Sequence, residues 1–280
     1  MIMQSNFINT NNINLHYLNF EGAKPTIILM HGLTANAHAF DGLIAAGLSP
    51  AFNIISVDLR GRGLSEQPDT GYTMAEHAKD IIGLLDHLQI EKAIIGGHSY
   101  GALITFYMAV HYPERVEKMI ILDAAARMHE NTKAMLIPAM SRIGQTFPSF
   151  NDYLIKVKTA PYFTIWDDAM LTYYQADIIE NADYSVTQRS KPEHIAEAIT
   201  KVLAEPWMEY IKGVEQEAIL INGPNIYTLE AALLPKENAM ETVHMMKNCR
   251  YIEVPGNHQT MLYGEGAKQI TAAIISFLKK

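Results

Sequence analysis

The amino-acid sequence predicts an α/β fold, in which helices flank a mostly parallel, twisted sheet. Short, continuously apolar segments with the length of strands alternate with longer segments typical of helices, and such strands belong to parallel sheets that are buried on both faces. One of these strands ends in a Gly-x-Ser-x-Gly turn at residues 97–101 that leads straight into an apolar helix. The alternation stops near residue 127 and resumes near residue 213, which indicates a segment inserted into the α/β core.

Composition and charge limit the class of protein. A chain of 280 residues is long enough for one large α/β domain that carries an insertion. Its net charge of −8 argues against a general nucleic-acid binder, because no basic stripe is available to neutralise phosphates. The first residues lack the pattern of a signal peptide, and no apolar stretch reaches the length needed to span a bilayer. We therefore expect neither a nucleic-acid partner nor a membrane partner.

The chain has a single cysteine, Cys249, which cannot form an intrachain disulfide. Its position just before a predicted strand is typical of a half-buried side chain without a chemical role. Because a chain without disulfides is typical of a reducing compartment, the predicted location is cytoplasmic.

The segment before the insertion predicts one half of the sheet and its helices. Residues 6–20 predict a β-hairpin, because two strand-like arms are joined through Asn11-Asn12. Thr73 is placed to cap the helix that follows it. The remaining predicted elements are a strand over 26–30, a helix over 37–46, a strand over 52–57, a helix over 74–88, a strand over 92–95, a helix over 102–109 and a strand over 119–122.

Residues 127–212 predict a helical lid, and residues 1–126 and 213–280 predict the α/β core into which it is inserted. Prolines punctuate helical stretches in the lid, and no β-branched run bounded by turns occurs in its sequence. The clearest lid helix begins near Ser190 and runs to Ala204, with a proline in its first turn. After the lid the core resumes with a strand over 218–222, a helix over 239–246, a strand over 251–254, a loop over 255–258 and an amphipathic helix over 267–278.

Ser99, at the centre of the Gly-x-Ser-x-Gly turn, is the candidate nucleophile. A strand, a sharp turn and a helix around such a serine lift its hydroxyl above the end of the sheet. Gly97 and Gly101 leave room there for the adjoining backbone. The alternative is a tight strand-to-helix turn whose serine has no chemical role.

His258 is the candidate general base for Ser99, because a free hydroxyl is a poor nucleophile near neutral pH. It lies in a glycine-containing loop after the last predicted strand, from which a side chain can reach back over the edge of the sheet. The other histidines lie beside the nucleophile or on exposed or helical stretches. The alternative for His258 is a loop histidine that satisfies backbone groups.

Two backbone amides are candidates for stabilising the negative charge that acyl transfer builds on a carbonyl oxygen. The amide of Tyr100, directly after the nucleophile, is one donor, and the amide of Leu33 is the other. His31, Gly32 and His98 flank these groups and are the predicted substrate-binding residues. The alternative is that His31-Gly32 only ends a strand.

Five motifs together resemble those of a known family and follow one another in its order. They are Met30-His31-Gly32-Leu33, Asp58-Leu59-Arg60-Gly61-Arg62-Gly63-Leu64-Ser65, Gly97-His98-Ser99-Tyr100-Gly101, Tyr112-Pro113-Glu114-Arg115-Val116 and Pro255-Gly256-Asn257-His258. This set resembles the α/β-hydrolase superfamily, and within it the lid-bearing branch of esterases, C–C hydrolases and dehalogenase-like proteins. The resemblance implies the α/β-hydrolase fold, a Ser-acid-His triad in that chain order and a lid over the pocket. It also implies that the loop from Asp58 to Ser65 is a structural turn.

The resemblance leaves the acid of the triad open. In much of the family an aspartate follows the strand that matches 218–222, but Ile226 stands in its place here and no aspartate occurs between it and His258. Some relatives, including certain dehalogenases and the hydrolase acting on acetamidomethylene succinate, place the acid after the strand that follows the nucleophile helix. That residue is Asp123 here, and an aspartate there could orient the imidazole. Asp123 is therefore the predicted acid, Glu230 is the alternative, and a weakened dyad is the third possibility.

These residues predict a serine hydrolase that cleaves a small carboxylic ester or lactone through an acyl-enzyme intermediate. Amide or C–C bond hydrolysis uses the same groups and stays open. A ligand receptor or regulatory protein of the same fold also stays open, because such proteins can keep an intact triad. No metal or organic cofactor is expected, since His31 and His38 are not spaced among cysteines or carboxylates like a zinc site. The expected partner is a small-molecule substrate, and the oligomeric state is not determined.

Overall fold

The computed structural model describes residues 3–279, so residues 1, 2 and 280, at the two ends of the predicted core, lie outside the described part. The strands are β1 (Met3–Thr10), β2 (Ile13–Phe20), β3 (Thr26–Met30), β4 (Asn53–Val57), β5 (Ala93–His98), β6 (Val116–Leu122), β7 (Thr146–Phe147), β8 (Ile178–Glu180), β9 (Val186–Gln188), β10 (Glu217–Asn222) and β11 (Cys249–Glu253). In this part of the chain they form an eight-stranded sheet in the order β1-β2-β4-β3-β5-β6-β10-β11 and a three-stranded sheet in the order β7-β9-β8.

Helices cover both faces of the large sheet and make up about half of the insertion. They are α1 (Asp41–Ala45), α2 (Leu48–Ala51), α3 (Met74–His87), α4 (Tyr100–His111), α5 (Thr132–Met135), α6 (Ile137–Met140), α7 (Phe150–Lys158), α8 (Ala169–Ala176), α9 (Pro192–Leu203), α10 (Trp207–Lys212), α11 (Lys236–Met245) and α12 (Gly264–Leu278). The helix predicted over 37–46 is a 3₁₀ turn over Ala37–Phe40 followed by the short α1. No helix within residues 3–279 is both long enough and apolar enough to cross a bilayer.

The first two strands form the antiparallel edge of the sheet. They are joined through Asn11 and Asn12, whose φ angles of 47° and 61° lie in the left-handed region. Asparagine tolerates this conformation better than most residues, and two such residues in succession form the tight turn that suits a hairpin. The hairpin begins at Met3, three residues earlier than the alternation of apolar side chains predicts.

The remaining strands of the large sheet run parallel to one another, so their carboxyl ends meet at one edge. Met30 at the end of β3 pairs with Gly97 of β5, and Gly97 pairs with Ile121 of β6. On the other side of β6, Leu122 pairs with Ile221 of β10. Loops that lie far apart in sequence are thereby brought together at this edge, where ligands bind in open α/β sheets.

Separate hydrophobic clusters lie on the two faces of the sheet. On one face, α3 and α4 bury side chains such as Leu84 and Phe106. On the other face, α1 and α12 bury side chains such as Leu43 and Ile274. Burial of each such side chain contributes roughly 1.5–3 kcal/mol. The strands are apolar throughout because both of their faces are covered.

The insertion differs from its predicted structure, because it contains the small antiparallel sheet as well as helices α5 to α10. These strands have only two or three residues each, too few to show a period in the sequence.

A cluster of three buried polar side chains lies beside the small sheet. The hydroxyl of Tyr153 and the side-chain amide of Gln188 both donate hydrogen bonds to the carboxylate of Asp177. The predicted helix near 190–204 corresponds to α9.

Candidate active site

Ser99 lies between the end of β5 and the start of α4, on a sharply turned backbone. Its φ and ψ angles are 54° and −115°, a sparsely populated region that an ordinary residue adopts only under local strain. The close packing of this turn requires glycine on both sides. A Cβ atom on Gly97 would lie 2.2 Å from the carbonyl carbon of Gly101, and a Cβ atom on Gly101 would lie 2.0 Å from the carbonyl oxygen of Met30.

A continuous line of hydrogen bonds joins the predicted serine, histidine and aspartate. The hydroxyl of Ser99 donates to Nε2 of His258 over 2.9 Å, and Nδ1 of His258 donates to Oδ2 of Asp123 over 2.7 Å. His258 is 5% exposed and Asp123 is fully buried. This arrangement allows the imidazole to take the proton of the serine hydroxyl while the carboxylate holds its tautomer and orientation.

Asp123 is itself held by two donors at the end of β10. Its Oδ1 accepts a hydrogen bond from Nδ2 of Asn222 over 2.7 Å and another from the amide of Gly223 over 2.8 Å. The Oδ1 of Asn222 in turn accepts a hydrogen bond from the Tyr251 hydroxyl over 3.0 Å. Sequence analysis missed Asn222. A polar residue at the end of an apolar strand could have indicated a side chain that contributes to the site at this edge.

The alternative acid, Glu230, lies away from the imidazole. It occupies an exposed turn, with a φ of 57°, and none of the described hydrogen bonds joins it to a histidine. Ile226, which stands where many family members have the aspartate, is 60% exposed. Of the two carboxylates considered from the sequence, the structure brings only Asp123 into contact with His258.

The two predicted oxyanion donors are the amide of Tyr100, the residue directly after Ser99, and the amide of Leu33, which lines the same cleft as Ser99. Within residues 3–279, neither the amide of Leu33 nor that of Tyr100 donates a hydrogen bond to a protein acceptor. Gly32 allows the loop after β3 to approach the nucleophile, since a Cβ atom there would lie 3.3 Å from Nδ1 of His98 and 3.5 Å from Cβ of Ser99. Both amides therefore stay candidate donors to a carbonyl oxygen.

His31, a predicted substrate-binding residue, does not line the cleft. Its imidazole is fully buried, Nδ1 donates to the Gly32 carbonyl over 2.7 Å, and Nε2 accepts the amide of Leu59 over 3.0 Å. Burial lowers the pKa of His31 to about 4, so the ring is neutral near pH 7. With both nitrogens occupied, His31 fixes the Gly32–Leu33 peptide instead of contacting a ligand.

The other two predicted substrate-binding residues, Gly32 and His98, do line the cleft. The His98 ring lies 4.6 Å from the His258 ring, and its Nε2 donates to the His258 carbonyl over 2.8 Å. Burial, with His258 alongside, holds the pKa of His98 well below 6.5. His98 thus orients the loop of the candidate base as a neutral side chain.

The cleft above Ser99 is small and neutral. Its volume is about 60 Å³, and no charged side chain is present among its lining residues. The walls come from both the core and the insertion, with Leu136, Ala139, Met140 and Tyr173 contributed by the insertion. Tyr227, which sequence analysis missed, also lines the cleft and lies 5.6 Å from the His258 ring centre.

The loop from Asp58 to Ser65 is tied together by Asp58, in keeping with a structural role. The Asp58 carboxylate accepts hydrogen bonds from Nδ1 of His16 over 2.7 Å, from the amide of Ala37 over 2.6 Å and from the amide of Leu64 over 2.8 Å. Asp58 is 3% exposed and does not line the cleft. It connects the loop to the hairpin and to the turn before α1.

Two further expectations concern metals and the cysteine. The described residues contain no group of three or more His, Cys, Asp or Glu side chains placed to hold a metal ion, and the absence of a cofactor stays a prediction. Cys249 is partly buried at the start of β11. Burial raises the pKa of the Cys249 thiol to about 12, so this sulfur is a protonated, poor nucleophile near pH 7.

Comparisons with known proteins agree with the fold. A family described as the alpha/beta hydrolase fold matches residues 25–193. The chain is 40% identical over 103 residues to the 2-(acetamidomethylene)succinate hydrolase of Mesorhizobium japonicum, an alignment that covers 37% of each protein. It is 36% identical over 117 residues to 3-oxoadipate enol-lactonase 2 of Acinetobacter baylyi, which covers 41% of this chain and 43% of that enzyme.

The chain thus spans about two fifths of the length of these two curated relatives. Over its whole length it is similar to the crystal structure of E-2-(acetamidomethylene)succinate hydrolase, with a TM-score of 0.87, 24% identity and coverage of 100% of both chains. At that identity the structural similarity shows the fold.

Proposed function

The chain belongs to the alpha/beta hydrolase fold family, and from this premise we propose that it is a serine hydrolase that cleaves a small carboxylic ester or lactone. The observation that supports this function best is the line of hydrogen bonds from Ser99 through His258 to Asp123. In an acyl-transfer reaction the three groups act as nucleophile, general base and orienting acid.

The reaction proceeds in two steps. Ser99 Oγ attacks the substrate carbonyl carbon while Nε2 of His258 takes the hydroxyl proton, and the amides of Leu33 and Tyr100 donate to the oxygen that becomes negative. His258 then gives the proton to the departing alkoxide, which leaves an acyl group on Ser99. A water molecule, deprotonated by the same imidazole, releases the carboxylic acid and restores the serine.

An ester or lactone of modest size suits the cleft. A volume of about 60 Å³ without charged lining residues favours a small, uncharged group next to Ser99. The similarity to an enol-lactonase supports the same bond type. We also place the protein in the cytoplasm, on the sequence argument from its single cysteine.

Hydrolysis of an amide or C–C bond is a second candidate. It is favoured by the similarity to a protein named 2-(acetamidomethylene)succinate hydrolase. The same three side chains serve that chemistry, because it also passes through an oxyanion beside a serine or an activated water.

Turnover of a substrate panel tests the proposal. Purified wild type and the Ser99→Ala variant are assayed with p-nitrophenyl acetate and butyrate, a γ-lactone, the matching amide and a vinylogous diketone. We expect the wild type to turn over an ester or the lactone many times and the variant to have no activity above background. Equal activity in both proteins contradicts the proposal, and activity confined to the amide or the diketone favours the second candidate.

A further inference from the structure

Arg62 is a buried cation without an acidic partner. Its side chain has no exposed surface, and every hydrogen bond described for it goes to a backbone carbonyl. Nε donates to the carbonyl of Leu33 over 3.0 Å, Nη1 donates to that of Arg60 over 2.9 Å, and Nη2 has no partner within the described chain. Burying a charge without a counter-ion is strongly unfavourable, so the position calls for a functional explanation.

Aromatic rings take the place of a counter-ion. The guanidinium carbon of Arg62 lies 5.4 Å from the ring centre of Tyr72 and 5.8 Å from that of Tyr100, distances at which a cation is attracted to the faces of aromatic rings. Arg60, two residues earlier in the same loop, differs in this respect. Its guanidinium donates to both oxygens of the Asp80 carboxylate, over 2.6 and 2.7 Å.

The contacts of Arg62 reach both residues that are predicted to supply oxyanion donors, Leu33 and Tyr100. It binds the carbonyl of Leu33, which fixes the peptide that follows this residue. On the preceding side, the Gly32 carbonyl accepts hydrogen bonds from Nδ1 of His31 and from the amide of Ala35. The peptides on both sides of Leu33 are therefore fixed, and Arg62 also packs on Tyr100, the first residue of α4.

We infer that Arg62 is a positioning residue that aligns the Leu33 and Tyr100 amides as an oxyanion hole. Nothing in the contacts of Arg62 brings it to the substrate, so it acts through those two residues. The inference rests on the proposed function, because an oxyanion hole has meaning only for a reaction that builds charge on a carbonyl oxygen. It accounts for a buried cation that has no acidic partner beside Leu33 and Tyr100.

Kinetics of Arg62→Met test this role. Methionine keeps much of the stem volume but removes the charge and the donors. Since a misplacement of about 1 Å in an active site can cost about 10²-fold, we expect kcat for p-nitrophenyl acetate to fall by about tenfold or more, with KM within about threefold of wild type. The dissociation constant of phenylboronic acid, which forms a tetrahedral adduct with a nucleophilic serine, should rise by a similar factor.

The neighbouring arginine provides the matched control. The double variant Arg60→Met/Asp80→Asn removes both members of a buried ion pair. We expect its thermal stability to change while kcat and boronate affinity stay within about threefold of wild type. If Arg62→Met does not yield folded protein by circular dichroism, Arg62→Gln is measured in its place with the same expectation.

The outcomes separate this inference from the proposed function. Wild-type kcat and wild-type boronate affinity in the folded Arg62 variant contradict the positioning role alone, since a purely structural residue affects only the thermal midpoint. A wild-type protein that is no more active than Ser99→Ala contradicts the proposed function and this inference with it.

Discussion

Oδ2 of Asp123 lies 2.7 Å from Nδ1 of His258, although 135 residues separate the two along the chain. Asp123 follows β6 and His258 follows β11. The contact arises because β6, β10 and β11 are adjacent in that order, run parallel and end at the same edge of the sheet. The carboxylate needed by the imidazole therefore comes from the end of β6. The end of β10 and the residue after it supply donors to that carboxylate, from Asn222 and Gly223.

Replacing Asp123 tests this position for the acid. In Asp123→Asn the side chain keeps its shape but no longer stabilises the correct tautomer or the imidazolium, so kcat should fall by about 10³–10⁴. Glu230→Gln is the control, because Glu230 is exposed on its turn and should leave kcat unchanged. Steady-state hydrolysis of p-nitrophenyl acetate measures both, and the reverse pattern would place the acid at Glu230.

Gly101→Ala tests the tight packing at the nucleophile. Its methyl group would meet the carbonyl oxygen of Met30 at 2.0 Å, so the backbone of β3 or α4 must shift, at a cost of about 3 kcal/mol or more. Gly213→Ala is the control, since the nearest atom to its methyl group is 3.3 Å away. Urea unfolding followed by circular dichroism compares the two, and equal midpoints would mean that the turn is looser than the structure describes.

The buried His31 makes stability depend on pH below neutrality. Burial lowers the pKa of His31 to about 4, so between pH 6.5 and 4 the unfolded chain binds a proton that the folded chain does not. The free energy of unfolding therefore rises with pH in this window, and His31 accounts for a loss of up to about 3 kcal/mol as the pH falls through it. In His31→Gln, urea unfolding between pH 4 and 7 should show a shallower dependence on pH.

His38→Gln serves as a control, because the pKa of His38 is shifted in the opposite direction to that of His31. Burial lowers the pKa of His38, but the Asp41 carboxylate, 2.8 Å from Nδ1, outweighs this effect and raises it. The stability that His38 contributes is therefore present below pH 6.5 and is lost as the pH rises through the raised pKa. His38→Gln should therefore leave the slope between pH 4 and 6.5 unchanged and make the slope of stability against pH more positive only above about pH 6.5. An unchanged slope between pH 4 and 6.5 in His31→Gln would contradict the assignment to His31.

Ala139→Phe tests whether the insertion limits the size of the acyl group. Ala139 lines the cleft, and a phenyl ring there would occupy much of a space of about 60 Å³. We expect kcat/KM for p-nitrophenyl butyrate to fall by about tenfold more than that for the acetate. Ala134→Phe, on an exposed position of α5, should change neither value, and equal losses for both esters would show that the acyl group lies elsewhere.

The fold class and the positions of Ser99 and His258 were predictable because they depend on local patterns. Apolar strands, a glycine-flanked serine and a histidine in the loop after the last strand can each be identified from a few adjacent residues. The helix predicted over 74–88 likewise corresponds to α3, whose first turn is capped by the hydroxyl of Thr73 accepting the amide of Glu76.

Other features depend on contacts between distant segments. Asp123 was predicted from the resemblance and from the absence of an aspartate after residues 218–222. The contact itself depends on which loop packs against His258, and no local pattern carries that information. His31 was expected at the substrate because it flanks the predicted oxyanion donors, but its two ring nitrogens are taken up by Gly32 and Leu59. The role inferred for Arg62 likewise depends on a tertiary contact, with the carbonyl of Leu33.

The most direct test of the proposed mechanism is to trap the acyl-enzyme. Wild type and Ser99→Ala are mixed with p-nitrophenyl acetate, quenched in acid within the first turnover and examined by intact-mass and peptide mass spectrometry. We expect one acetyl group on wild type, on the peptide that contains Ser99, and none on the variant. An acetyl group on another residue, or rapid wild-type turnover with no trapped adduct and no loss in Ser99→Ala, would contradict a serine nucleophile at this position.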